Sequence, residues 1–450
     1  MTDTARPSDT ASPSGDEESG STDFRAAEGG GTEVSARFAS LQIPAYRWLF
    51  WGGVFSFMAV QMQFLLRGLL AWDLTEREST LGYVYLAFGL ALLVFTPFGG
   101  VASERLRKRR LLLGGQVALT IFAVFMATVV LLDIAELWML ILASVGQGAM
   151  FGLTGPARVA MAGELVGRER LGNAISLSTM SMNGSRIFAP SFAGVLAGVA
   201  FFGIGGAYLI ASIFSMLSFL LVFRLPDLEP VSQSDRSPIG DIVDGVRYVS
   251  RTPRLRRIIV TSTIAIMFGF NYVAFLPALV EGEFGQGEAW VGFISTASSI
   301  GALAASFWFA GKADGAGRMR LLVLSGIGFG ASVALLSATP NIVAAMVVVL
   351  GVGAATTGFQ ILSNSIVLTT ADASHQGRVQ SLMQLSFAGF GMAAAPLGAF
   401  AEATSLRTAI LVMGAVTLAA SVLLGVMERR SLAAAVAEPT GHGDTARIAA

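Results

Sequence analysis

Four hundred and fifty residues with no net charge, 13% charged side chains, 54% hydrophobic side chains and 52 glycines depart from a soluble composition, in which about 25% of residues are charged. An ordinary soluble enzyme is excluded, and so is a disordered or fibrous chain, because apolar runs dominate and glycine has no period of three. The absence of cysteine removes disulfides and thiolate chemistry, and two histidines without net positive charge offer nothing to nucleic acid; an integral membrane protein remains.

Residues 1–46 come first. From Thr2 to Glu33 they are mainly Ser, Thr, Gly, Asp and Glu, so the segment cannot offset its ordering entropy and is predicted to be a disordered tail. No apolar run follows a basic start, so it does not read as a signal peptide. Twelve apolar stretches follow, at 48–72, 80–102, 111–132, 136–157, 172–198, 201–223, 257–280, 289–310, 321–338, 342–367, 380–401 and 407–427. Each is near the ~20 residues that a helix needs to cross a ~30 Å hydrocarbon core, and none alternates as barrel strands do. The longest connection, 224–256, separates a six-helix unit (47–223) from another (257–427). It opens on a Pro/Ser-rich linker from Pro226 to Pro238, then predicts an amphipathic helix over 239–250 with Ile242, Val246 and Val249 on one side. Residues 428–450 read as a second flexible tail. The predicted fold is an all-α membrane protein with twelve transmembrane helices in two six-helix pseudo-symmetric bundles.

Positive charge sets the orientation. Of the 30 Lys and Arg residues, 26 lie in the tails and even-numbered connections, counting Arg47 and Arg257 at the adjoining helix ends, Arg77 and Arg407 lie at odd-numbered ones, and Arg67 and Arg186 lie inside helices. Both termini are therefore predicted to be cytoplasmic. The run Arg251, Arg254, Arg256 and Arg257 falls where anionic headgroups would be, which makes membrane lipid a partner; plain positive-inside bias is the simpler account of the run.

The two units repeat a pattern. Gly99-Gly100 at the end of the second helix is followed by Glu104, Arg105 and a basic cluster that includes Arg109; Gly311 at the end of the eighth is followed by Asp314, Arg318 and Arg320. Ala189-Pro190 in the fifth helix is echoed by Ala395-Pro396 in the eleventh. Duplicated six-helix units are a recurrent transporter plan, with substrate handled where they meet.

These residues carry a resemblance. Gly100-x-x-x-Glu104-Arg105-x-Arg107-Lys108-Arg109 is similar to the signature that follows helix two in the major facilitator superfamily, with Glu104 where Asp is usual and Arg107 where Gly is usual. Gly155-Pro156-Ala157-Arg158, Glu164-Leu165-Val166, Asn173-Ala174 and the stretch from Asn183 to Gly194 resemble the bacterial branch that holds macrolide efflux proteins and the enterobactin exporter. Ala189-Pro190 also resembles the helix-five Gly-Pro signature of drug/proton antiporters, with Ala in place of Gly. The likeness spans about residues 44–428. It implies alternating access around a central cavity lined by the first, fourth, seventh and tenth helices.

Candidate cavity residues follow from polarity at membrane depth. Arg186 lies fourteen residues after Gly172, about 21 Å along its helix, where exposure to lipid is expensive and a water-filled cavity or a partner is required. Arg67 is nearer the outer surface, where it can snorkel, and Asp73 at the outer end of the same helix can answer it. Gln61 and Gln63 in the first helix, Gln147 in the fourth, Asn271 and Tyr272 in the seventh, and Gln360 and Asn364 in the tenth complete the set. Interhelical hydrogen bonding is the competing reading for each. Phe64, Phe151, Phe268 and Phe275 are candidates for the apolar lining. Gly100, Glu104, Arg105 and Arg109, with Asp314 and Arg318, read as cytoplasmic latches between conformations, and Pro190 and Pro396 as hinges.

Nothing supports chemistry on a substrate. There is no Gly-x-x-x-x-Gly-Lys-Ser/Thr phosphate loop, His375 and His442 have no metal-ligand spacing, and no cofactor or metal is predicted. The sequence predicts a secondary active exporter of amphiphilic small molecules, a drug or a siderophore-like metabolite, in the bacterial cytoplasmic membrane, working as a monomer by proton-coupled antiport. Asp73 is the first choice of proton carrier, because no acid lies inside a predicted helix. An importer or facilitator is the alternative, and a non-transporting sensor or scaffold a more distant one. An Arg-lined cavity suits cargo that bears an anionic or polar group.

Overall fold

The computed structural model describes residues 39–167, 170–199, 201–228, 238–310, 315, 317–372 and 375–437, and among these the secondary structure is helical. A short 3₁₀ turn, Ala39–Gln42, leads into α1 (Pro44–Thr75), α2 (Glu78–Arg105), α3 (Lys108–Leu131), α4 (Leu137–Val166), α5 (Leu171–Ala197) and α6 (Gly203–Phe223). After the connecting helix α7 (Pro238–Arg251) come α8 (Pro253–Met267), a 3₁₀ turn Gly269–Val273 and a π-helical turn Ala278–Glu283. The rest are α9 (Glu288–Ala310), α10 (Arg318–Leu336), α11 (Ile342–Thr370), α12 (Gln376–Ala403) and α13 (Leu406–Ala437).

Hydroxyl side chains sit in these helices by donating to carbonyls one turn back, as Thr96 Oγ1 does to the Leu92 oxygen (2.6 Å) and Thr417 Oγ1 to the Met413 oxygen (2.9 Å). That satisfies them where no water reaches. Helix ends have local causes too: the Asn341 side chain accepts from the Ala344 amide at 2.9 Å and starts α11.

Among the described residues ten helices, α1–α4, α6 and α9–α13, are long and apolar enough to cross a membrane. The other two of the twelve predicted spans differ for physical reasons. α5 is long enough but carries Asn173, Ser176, Ser178, Thr179, Ser181 and Arg186. The seventh is not one helix: after Met267 its backbone passes through a 3₁₀ turn, a turn and Pro277 before the π-helical turn.

Several boundaries move. Residues 39–46, predicted as part of the disordered tail, are ordered, because the Ser40 amide donates to Asn173 Oδ1 (3.1 Å) and the Tyr46 hydroxyl to the Ala174 carbonyl (2.8 Å), and the rest of that predicted tail lies outside the described residues. α4 runs to Val166 rather than 157, and α13 continues to Ala437, through the start of the predicted C-terminal tail. In α7, Val249 is buried but Val246 is 51% exposed, so they do not share the covered side. Gly245 supplies that side instead, with a Cβ there 3.3 Å from Arg378 Cβ of α12.

The two halves of the chain meet along α2–α12 and α5–α9, toward the face that the charge pattern puts outside. Only glycine permits this approach: a Cβ on Gly194 would lie 2.4 Å from the Gly292 Cα, and one on Gly82 2.7 Å from the Ala395 Cα. The largest apolar core runs through both halves there, from Leu65 and Ala193 to Phe275 and Ala394. Toward the inner ends the core is divided, and Tyr46, Leu112, Met161 and Val222 pack within the first half alone.

Candidate functional site

A cavity lies where α5 faces the second half. Met182 and Arg186 line it from α5, Ser262 and Ile266 from α8, Phe270 from the 3₁₀ turn and Phe329 from α10. Thr356, Phe359, Gln360, Ser363 and Asn364 of α11 and Met383 and Phe387 of α12 complete it. Its volume is ≈ 50 Å³, enough for a few waters, so larger cargo requires the halves to part further. The Arg186 guanidinium carbon lies 3.9 Å from the centre of the Phe387 ring, a cation–π contact across the two halves. Across the pocket, the amide of Asn364 donates to the Gln360 carbonyl (3.0 Å), and the Ser262 and Ser363 hydroxyls pair at 2.7 Å.

Of the nine predicted cavity residues, Arg186, Gln360 and Asn364 are therefore brought together. Gln63, Arg67 and Gln147 form a separate buried cluster in the first half. Arg67, 2% exposed, donates through Nε to the Gln63 carbonyl (3.1 Å) and through Nη2 to Gln147 Oε1. Its guanidinium carbon stands 5.6 Å from the Phe64 ring centre and 5.3 Å from that of Phe88. It does not snorkel outward to Asp73, which is exposed. Arg67 Nη1, Gln63 Nε2 and Gln147 Nε2 are buried without a partner. Asn271 is wholly buried in the seventh segment and donates to the Phe390 carbonyl of α12 (3.1 Å); Tyr272 is buried next to Ser298 of α9. Both read as glue between helices. Gln61 is half-buried and does not line the cavity.

The apolar lining also differs from expectation. Phe275 is fully buried core, Phe64 packs on Phe390 (5.4 Å between ring centres) and Phe151 on Phe57 (6.4 Å). Phe268, beside the 3₁₀ turn, packs against the core. Phe270, Phe329, Phe359 and Phe387 take the cavity instead. In sequence a cavity phenylalanine is indistinguishable from a core one.

Sequence reasoning missed a third buried arginine. Arg158, counted as a loop residue, is inside α4 and 9% exposed, its guanidinium carbon 5.4 Å from the Phe57 ring centre and its Nη1 without a partner. The Pro156-Ala157-Arg158 run was the available signal, since α4 carries Pro156 without stopping. Arg67, Arg158 and Arg186 thus each face an aromatic ring, and among the described residues none pairs with a carboxylate.

The predicted latches are only partly visible. Asp314 lies outside the described residues, as does the Glu104 side chain. Gly100 is within α2 and its carbonyl accepts from Ser103 Oγ (2.7 Å); Arg105 ends that helix. Arg109 donates to the Phe223 carbonyl and lies 5.0 Å over that ring, while Arg318 donates to Thr369 Oγ1 (3.0 Å). The inner end of the first half is tied by Lys108 to Glu164 (2.7 Å) and Arg107 to Asp227 (2.5 Å). The predicted hinges Pro190 and Pro396 are inside continuous helices, as are Pro97 and Pro156. The interruption falls in the seventh segment, which Gly269, Asn271 and Pro277 could have signalled.

At the face that the charge pattern puts outside, Asp73 is one of three neighbouring acids. Burial first, and the carboxylates of Glu288 and Asp73 after it, push Glu281 up to about 7. Its Oε1 is buried without a partner. The two arginines predicted outside are both paired there, Arg77 with Glu402 and Arg407 with Glu283.

Comparison with known proteins follows the same lines. The model of a family described as "Transmembrane secretion effector" matches residues 35–447. The enterobactin exporter EntS of Shigella flexneri is 22% identical over 340 residues, covering 75% of this chain and 80% of that protein. The uncharacterized MFS-type transporter YfiS of Bacillus subtilis is 23% identical over 205 residues, 44% of this chain and 47% of that one. The crystal structure of the nucleoside transporter NupG superposes with a TM-score of 0.66 at 14% identity, over 85% of this chain and 99% of that one. A bacterial homologue of the lysosomal transporter Spinster, inward-facing and unoccupied, gives 0.67 at 13%, over 86% and 97%. These two likenesses show a shared fold.

Proposed function

The chain belongs to the transmembrane secretion effector family of the major facilitator superfamily, multi-pass transporters rather than enzymes, and from that premise we propose that it exports amphiphilic small molecules from the bacterial cytoplasm. Transport runs by alternating access and proton-coupled antiport. The α5 helix and the interrupted seventh segment complete twelve spans in two six-helix bundles, α1–α6 and α8–α13, with α7 as the cytoplasmic link and both termini inside.

The observation that carries this reading is the placement of Arg186. It lies on α5, in the cavity where the two halves meet, with one phenylalanine ring from the opposite half on its cation and no carboxylate partner among the described residues. A cation held this way is left for something that arrives. The remaining lining is aromatic, aliphatic and amide, which suits an amphiphile with an acidic or strongly polar group better than a sugar or an inorganic ion. The halves touch toward the outer face and separate toward the inner, consistent with loading from the cytoplasm. The likeness to the enterobactin exporter EntS supports export and puts enterobactin among the compounds to try.

The test is accumulation of a mixed panel in everted membrane vesicles, read by mass spectrometry with and without a protonophore. The panel holds macrolides, dyes, enterobactin and cellular metabolites. Protonophore-sensitive accumulation of one class, lost in Arg186→Gln while the protein remains in the membrane, is the expected result. Accumulation only in right-side-out vesicles would instead make the protein an importer, and accumulation indifferent to the protonophore would remove the proton from the mechanism.

A further inference from the structure

A second pocket, sharing no lining residue with the first, opens at the inner ends of α2, α3 and α4. Arg105, Arg107 and Arg110 form its rim, Leu111, Met150 and Leu153 its floor, and its volume is ≈ 550 Å³. Among the described residues no acidic side chain lines it. Arg107 is held by Asp227 at 2.5 Å, whereas Arg105 and Arg110 are exposed and form no ion pair among the described residues. At Gly114 the wall is open, with nothing within 4 Å of where a Cβ would stand.

The groove leads along an apolar face. Gly114, Val117 and Ile121 fall on one side of α3 by helical spacing, with Val124 next. The three larger residues are 43%, 61% and 42% exposed. From Gly114 to Val124 is about 15 Å along the helix axis, half of a ~30 Å hydrocarbon core. A charged rim at the depth of the cytoplasmic headgroups therefore continues into a track as long as one leaflet.

We infer that this groove is a binding site for an anionic phospholipid of the inner leaflet. The phosphate sits between Arg105 and Arg110 and an acyl chain lies over Gly114 and down the Val117–Ile121 face. Two exposed guanidinium charges at headgroup depth attract phosphate, and basic pockets between membrane helices on the cytoplasmic side select such headgroups. The shared chemistry is a phosphate anion; the apolar track is what distinguishes a lipid from the free ion.

The experiment titrates the detergent-purified full chain with phosphatidylglycerol, phosphatidylcholine or inorganic phosphate, with bound molecules counted by native mass spectrometry. Saturable binding of one phosphatidylglycerol is expected, with phosphatidylcholine weaker. Arg105→Gln/Arg110→Gln weakens it about thirtyfold, at about 1 kcal/mol per surface arginine. Gly114→Phe, which fills the open wall without touching the charges, weakens phosphatidylglycerol binding as well. The charge-retaining Arg105→Lys/Arg110→Lys chain stays within a few fold of wild type on the same count. Equal affinity for phosphatidylcholine, or wild-type affinity in the Gln pair, would overturn the site. So would a Lys pair as weak as the Gln pair. Inorganic phosphate that displaces phosphatidylglycerol, together with an unchanged Gly114→Phe chain, would leave an anion site and overturn the lipid.

Discussion

Arg77 and Glu402 stand 325 residues apart in the chain and are paired at the outer end of the α2–α12 contact, Nε to Oε1 at 3.0 Å. The pair closes the face that the charge pattern puts outside, where Ser79 and Arg77 together hold the Glu402 carboxylate below the usual range. Arg77 is 65% exposed, so the bond adds little to folding. Its consequence is conformational, because it exists only while the halves touch on this side.

Breaking that pair is expected to populate the outward-open state without unfolding the protein. The chain has no cysteine, so a single cysteine at Ala395, packed on Gly82, reports outer opening against no background. Arg77→Gln and Glu402→Gln should each speed labelling of that cysteine by an impermeant maleimide. The exchanged pair Arg77→Glu/Glu402→Arg should slow it again. Labelling that is slow in both single variants would show that the ion pair does not guard this face.

The α5–α9 contact gives a stronger lever. With the Gly194 Cβ position 2.4 Å from the Gly292 Cα and 2.6 Å from its nitrogen, and that of Gly292 2.4 Å from the Val195 nitrogen, neither helix has a side chain to move aside. Overpacking at such a contact costs about 1–3 kcal/mol, about 5- to 150-fold in a two-state equilibrium. Gly194→Leu is expected to hold the outer face open: fast labelling at the same reporter, cargo binding from outside retained, and net transport lost. Gly114→Ala, in the open wall of α3, is the matched control and should transport normally.

Ten of the twelve predicted spans were readable because long apolar runs make helices able to cross a membrane. The site was less readable, for reasons visible in particular residues. Arg158 and Glu164 looked like loop charges, yet both are in α4, one buried beside Phe57 and the other paired with Lys108. Charge at a helix end says little about whether that end is covered. Arg67 and Arg186 were found because an arginine at membrane depth is improbable by default, but which of them shares a cavity with Gln360 and Asn364 depends on helix rotation, and sequence carries no direct record of that. The break in the seventh span was spelled by Gly269, Asn271 and Pro277 and was hidden by the apolar residues around them.

The outer acids should make stability and transport depend on pH. Glu281 rises from 4.5 to about 7 in the folded protein, so the fold binds a proton there that the unfolded chain has released. The associated stability is full below about 4.5 and is lost as pH rises through about 7. Thermal denaturation of the purified protein should therefore fall in midpoint over that window, and Glu281→Gln should flatten the profile. If Glu281 also carries the coupled proton, the same variant loses protonophore-sensitive accumulation but keeps cargo exchange, whereas Asp73→Asn only lowers the pH of half-effect. Loss of proton-driven transport in Asp73→Asn with an unaltered Glu281→Gln would return the role to Asp73.

Arg67 separates glue from function. It is a buried cation whose partners are a carbonyl and an amide, with Nη1 unpaired. Where an arginine serves stability alone, removing one partner leaves it worse off: Gln147→Leu would cost about 1.5–3 kcal/mol, the value of a hydrogen bond to a charged group. Replacing Arg67 and Gln147 together by apolar side chains of similar length is a different matter, because it ends the desolvation penalty and leaves no buried amide behind, and such whole-group exchanges are often neutral or stabilising by about 1–4 kcal/mol. The expected result is that Gln147→Leu alone lowers the thermal midpoint and Arg67→Met/Gln147→Leu leaves it equal or higher, while the double variant loses transport. An arginine retained for folding would show the reverse, a lower midpoint in the double variant with wild-type transport by whatever remains in the membrane. Measuring both variants in the same membranes decides between a cation kept for cargo or conformational change and one kept for packing.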